Sequence, residues 1–139
     1  MNAVDTNILA RFYVDDPADP EAARQRPIAR RIMEKSNAIH VSLTVILELV
    51  WVLTGHYDFD PDECASVIEH LAGLPNVRLD RESEVLEAVR LYRGKLDFAD
   101  AMHVSLAGHC DRFLTFDDKR FARRAARLGA ATLVEVPRI

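Results

Sequence analysis

The chain has 139 residues, a length that suits one domain. It is 49% hydrophobic and 29% charged, enough apolar side chain for a core and too little charge bias for a disordered chain. The longest apolar run, Val45 to Leu53, is interrupted by Glu48, and Met1-Asn2-Ala3-Val4-Asp5 lacks a basic segment leading into an apolar one. A membrane span and a signal peptide are therefore not expected, and a soluble, cytoplasmic protein is. In that setting Cys64 and Cys110, in neither a CxxC nor a zinc spacing, are expected as free thiols. The formal net charge of −4 argues mildly against a nucleic-acid partner. Its distribution tempers that, because arginine and lysine cluster at Arg24, Arg26, Arg30 and Arg31, and at Arg112, Lys119, Arg120, Arg123, Arg124 and Arg127. Each cluster reads as a solvated helix face or as a phosphate-contacting edge.

In chain order, Asn2–Val4 reads as the end of a buried strand. Asp5-Thr6-Asn7 then offers capping chemistry to a helix that starts at Ile8. The segment 15–20 is a loop. A helix over Glu21–Lys35 follows, with Ile28, Ile32 and Met33 on one face and Pro27 marking a kink or break. Ala38–Val41 is a short strand, and Ser42 caps a helix over Leu43–Gly55. Asp60-Pro61 starts another helix, ending near Gly73. Val77–Leu79 is a strand. Glu82–Arg93 is a helix with Val85, Leu86, Val89 and Tyr92 at helical spacing, and Phe98–Gly108 is a further helix. Arg112–Thr115, Lys119–Leu128 and Thr132–Val136 read as strand, helix and strand. This alternation predicts an α/β/α sandwich with a mostly parallel central sheet, whose active site lies at the carboxyl ends of the strands.

Four acids from four separate elements fall at or near such ends. Asp5 ends the first strand. Glu48 stands in a helix that is apolar nearly all round and so reads as mostly buried, where a carboxylate needs a cation, an arginine or water. Taken alone it fits a glutamate paired at a helix contact equally well. Asp97 and Asp100, three apart, share a helix face near its start. Asp97 fits a cap well and Asp100 less well, being set among small and apolar residues. Asp117 follows the strand Phe113–Thr115, while Asp118 reads as turn and cap. Carboxylates converging on one place repel unless a cation joins them, and hard oxygen ligands suit Mg²⁺ or Mn²⁺. Such clusters hydrolyse phosphodiesters by activating a metal-bound water.

Four segments together resemble the PIN-domain family, and within it the VapC-type toxins. They are Val4-Asp5-Thr6-Asn7-Ile8-Leu9, Glu48 in its apolar helix, Asp97-Phe98-Ala99-Asp100-Ala101-Met102-His103, and Leu114-Thr115-Phe116-Asp117. The resemblance runs over nearly the full length and implies a single PIN domain over residues 1–139. It implies about five parallel strands flanked by helices, and Mg²⁺- or Mn²⁺-dependent endonucleolytic cleavage of single-stranded RNA. By position, Asp5, Glu48, Asp100 and Asp117 would be the metal-site acids, with Asp97 as a helper. Thr6, Asn7 and Thr115 match supporting polar positions. No principal acid departs from the pattern, so an active enzyme is expected. The resemblance further implies a homodimer, and a larger hetero-oligomer with a cognate antitoxin whose C-terminal segment covers the site. His103 matches a position where such toxins often carry histidine and reads as structural. Trp51 and Phe59 read as core or interface.

Two other classes compete. A non-catalytic PIN-fold module could hold RNA or a protein on the arginine faces, its acids serving as caps and ion pairs. A phosphatase or phospho-acceptor receiver fits poorly, because Asp5-Thr6-Asn7 lacks the second aspartate of the haloacid-dehalogenase pattern and the acidic pair of the receiver pattern.

Overall fold

Capping and periodicity place the elements close to where the sequence predicts them. The computed structural model describes residues 1–138. The chain divides into two compact units, the first Met1–Asp80 and the second beginning at Arg81.

The first unit is built from β1 (Asn2–Ala3), α1 (Thr6–Tyr13), α2 (Pro20–Lys35), β2 (Ile39–Val41), α3 (Leu43–Gly55), α4 (Pro61–Gly73) and β3 (Val77–Leu79). Its three strands are parallel in the order β1-β2-β3, with Asn2 opposite Ile39 and Ile39 opposite Val77. Parallel pairing puts the carboxyl ends of all three strands on one edge, where Asp5, Ser42 and Asp80 follow them. All four helices of this unit start at a side-chain cap: Asp5, Asp19, Ser42 and Asp60. Asp60 forms a full capping box, its Oδ1 accepting from the Glu63 N–H at 2.8 Å while Glu63 Oε1 accepts from the Asp60 N–H at 3.0 Å. Leu9, Met33, Ile39, Val41, Ile46, Leu49, Leu53, Ile68 and Leu71 form the core.

Two expectations for α2 are corrected. The helix runs unbroken through Pro27. Proline forfeits the bond to the carbonyl of Ala23, but both residues lie on the exposed side, where water can meet that carbonyl. The buried face consists of Ala22, Ala29 and Met33, with Ile32 half-buried, whereas Ile28 is 50% exposed. The alanines let α2 lie close against α1.

The second unit contains α5 (Glu82–Arg93), α6 (Phe98–Ser105), β4 (Arg112–Leu114), a π-helical turn (Asp118–Ala122), α7 (Arg123–Arg127) and β5 (Leu133–Glu135). β4 and β5 pair in parallel, with Phe113 opposite Val134. Within each unit the strands pair in parallel as predicted, but the single sheet of about five strands is corrected: the described strands form one sheet of three and another of two. Helix α6 stops at Ser105 and not at Gly108, because the chain tightens there, the Ala107 N–H donating to Val104 O. The expected helix from Lys119 begins as a π-turn, since the Ala122 N–H donates to Asp117 O, five residues back. In α5, Val85, Val89 and Tyr92 are buried but Leu86 is 39% exposed. Gly94 follows that helix where Leu128 packs onto it: a Cβ there would run into the Leu128 side chain. The left-handed residue is its neighbour Lys95, with φ of 83°, whose carbonyl accepts from Arg124 Nη1 at 2.9 Å.

Asp60→Ala removes one arm of the capping box and exposes no core, so it is expected to cost about 1 kcal/mol. Urea unfolding of the two proteins checks this, with an unchanged m-value and a lowered midpoint as the expected result.

Candidate active site

Asp5 ends the β1 segment and caps α1, its Oδ1 accepting from the Ile8 N–H at 3.3 Å. Thr6, beside it, is buried and donates its hydroxyl to Glu48 Oε1. Asn7 is exposed in the first turn of the same helix. Glu48 lies on α3 between the buried positions Ile46 and Leu49, yet it is exposed. The expectation of a mostly buried helix is corrected on this face, and of the partners expected for Glu48 access to water is the one met. Thr44, Glu48 and Trp51 form an exposed stripe at spacings of four and three. Glu48 therefore keeps access to solvent while Thr6 fixes one of its oxygens. Trp51 is 63% exposed and so is not a core residue, and Phe59 is half-buried.

In the second unit Asp97 caps α6, its Oδ2 accepting from the Asp100 N–H at 3.2 Å. Asp100 follows in the first turn, half-buried. Asp117 caps the π-turn, its Oδ1 accepting from the Arg120 N–H at 3.0 Å, while its own N–H donates to Thr115 Oγ1 at 3.1 Å. Asp118, read from the sequence as the cap, instead pairs with Arg123 at 2.8 Å. Burial raises the Asp100 carboxyl above its ordinary pKa; Asp97 and Asp117 add to the shift, and His103 opposes it. Asp100 therefore lies within electrostatic reach of both Asp97 and Asp117. His103 is exposed and stacks on Phe113, with ring centroids 6.1 Å apart. Of the second basic cluster, Arg112 pairs with Glu135 and Arg123 with Asp118, while Lys119, Arg120 and Arg127 have no ion pair among the described residues.

One arrangement recurs. Asp5, Asp97 and Asp117 each give one carboxylate oxygen to a helical N–H, and the other oxygen has no hydrogen bond among the described residues. Such a carboxylate is fixed in place by the helix terminus and keeps a hard oxygen donor for a cation. Mg²⁺ suits this donor type, because it takes one or two carboxylates and keeps several waters. Among the described residues, no three His, Cys, Asp or Glu side chains form a group that could hold a metal ion by themselves. Also among these residues, no helix is long and apolar enough to cross a membrane.

Parallel strands alternating with helices, and carboxylates at the strand-to-helix junctions, define an α/β protein of the acidic-site kind. The PIN domain family profile matches residues 3–127, and the chain belongs to that family. PIN domains are generally nucleases. No curated protein matches the chain.

Arg11 escaped the sequence reading. It is a half-buried arginine on α1, six residues after Asp5, and its only sequence signal is the four-residue spacing from Asn7.

Two outcomes are expected. Trp51 is the sole tryptophan, so emission of the isolated chain should lie near that of indole in water and be quenched readily by iodide. A blue-shifted, protected emission would show that face to be covered. For Asp100, a raised folded-state pKa disfavours the charged form. The resulting penalty is absent below the ordinary carboxylate pKa, grows as pH rises through the raised pKa, and is complete at neutral pH. In metal-free buffer Asp100→Asn should therefore melt above the parent at neutral pH, with the gap closing in acid. Thermal melts across that range check it.

Proposed function

We propose that this chain is a divalent-metal-dependent endoribonuclease that hydrolyses phosphodiester bonds in single-stranded RNA, residues 1–139 acting as one PIN domain. We further propose that it is the cytoplasmic, VapC-like toxin of a toxin–antitoxin pair, homodimeric and joined by its antitoxin in a larger hetero-oligomer. The observation that carries the reading is the set of aspartates fixed by helix N-termini with one oxygen left for a cation. The family supports the nuclease class.

In this reading Asp5, Glu48, Asp100 and Asp117 hold Mg²⁺ or Mn²⁺, with Asp97 alongside. When bound, the ion supplies a Lewis acid for the phosphate and an activated water. The chain's own residues orient and charge the site. Thr6 holds the Glu48 carboxylate in one direction. Thr115 fixes the turn that presents Asp117. Asp97 and Asp117 keep the field around Asp100 negative, which favours a cation there. Lys119, Arg120 and Arg127, without ion pairs among the described residues, leave positive charge for the RNA backbone. A non-catalytic RNA- or protein-binding module is the second reading. It is favoured by the lack, among the described residues, of any three-ligand metal group.

The test is cleavage of labelled single-stranded RNA by antitoxin-free protein in Mg²⁺, in Mn²⁺ and in EDTA. Cutting is expected with either ion and not in EDTA. Asp5→Ala and Asp100→Ala should lose more than the roughly 10–100-fold that removal of an outer-shell partner costs. Expression of the parent should arrest growth and expression of Asp5→Ala should not. Binding without cutting, unchanged by metal, would establish the module instead.

A further inference from the structure

A cavity of about 290 Å³ in the first unit is lined by Asp5, Asn7, Arg11, Gln25 and Ile28. Asn7 and Arg11 lie four apart on one face of α1, and Gln25 and Ile28 three apart on one face of α2. The cavity is thus a groove between the two helices, with the α1 cap, Asp5, in its wall. Arg11 is half-buried in it. Its Nε donates to Gln25 Oε1 at 3.0 Å and its Nη1 to the Tyr57 hydroxyl at 2.9 Å. The Gln25 amide is turned by its own bond from Nε2 to Glu21 Oε1, at 3.1 Å, so that it offers Arg11 a neutral oxygen.

Both partners of the guanidinium are therefore uncharged, and among the described residues no carboxylate pairs with it. The nearest acids in this network do not bond it directly: Glu21 is one hydrogen bond removed, through Gln25, and Asp5 stands in the groove wall. The two bonds also use only part of its fork of five N–H donors. The remainder is what binds a phosphate in two-pronged fashion. Arg11 and Asp5 line the same groove, so a strand lying in it would meet both. Asn7 adds an exposed amide in between.

We propose that this groove is a phosphate subsite for the RNA strand, in which Arg11 grips a backbone phosphate neighbouring the one presented to Asp5. The inference rests on the RNA-substrate part of the reading above. Arg11 and Asn7 then set how the strand lies, while the acids set whether it is cut.

The test is binding of a fluorescein-labelled 2′-O-methyl single-stranded oligonucleotide in EDTA, read by anisotropy across a salt series and kept separate from cleavage. Arg11→Gln should weaken binding several-fold and reduce the slope of log affinity against log salt by about one. Ile28→Glu puts a carboxylate at the exposed rim without touching the Arg11 bonds. It should weaken binding similarly, whereas Ile28→Gln should not. If Arg11→Gln does not fold, the Ile28 pair decides. Parent-like affinity and slope in Arg11→Gln and Ile28→Glu would overturn the subsite, even if RNA is cut normally. Arg11-dependent binding in a protein that cuts nothing would uphold it and sink the nuclease reading. Competition by inorganic phosphate, lost in Arg11→Gln, would support it. Protection of the parent by inorganic phosphate with no oligonucleotide binding would assign the groove to a small phosphate and overturn the RNA subsite.

Discussion

A helix begins with N–H groups that have no partner inside the helix, and a carboxylate placed there is held in both position and charge. This chain fills such places with aspartate at Asp5 after β1, at Asp117 after β4 and at Asp97 before α6. One oxygen completes the helix and fixes the side chain. The other is left over, and no separate scaffold is needed to aim it. In the first unit the parallel sheet adds a second constraint, because every strand must end on the same edge. The candidate chemistry therefore gathers where the backbone itself is least satisfied.

Glu48 obeys a different rule. It is not a cap and cannot draw on a helix terminus, so its direction depends on the buried hydroxyl of Thr6. Thr6 is next to Asp5 in the chain, and that hydrogen bond ties the first turn of α1 to the middle of α3. The reach is possible because α1 and α3 lie against each other, with Leu9, Ile46 and Leu49 fully buried.

Much of this could be read from the chain itself. Aspartate or serine before an apolar periodic run marked the starts of α1, α3 and α4, and each proved to be a cap. The strands were legible from short apolar runs, and their parallel sense from the alternation with helices. The acids stood out because they were carboxylates with no evident business in apolar surroundings. What failed depended on packing that periodicity cannot see. An apolar helix was taken to be mostly buried, but α3 leaves Trp51 and Glu48 open. Choosing between Asp117 and Asp118 as cap needed the π-turn, whose five-residue hydrogen bond leaves no mark in composition. Arg11 was invisible because its importance lies in what it is not paired with, which only three-dimensional neighbours reveal.

The double duty of Asp5 has an evolutionary side. Asparagine caps a helix about as well as aspartate, but it carries no charge and is a poorer ligand for a hard cation. A single G-to-A transition in an aspartate codon makes that exchange. On the proposed function, a folded copy of this chain with a weakened metal site thus lies one nucleotide away, its helix cap kept and one exposed negative charge removed. In that reading, a lineage in which the activity becomes a burden has a short path to disarming the protein while keeping its fold.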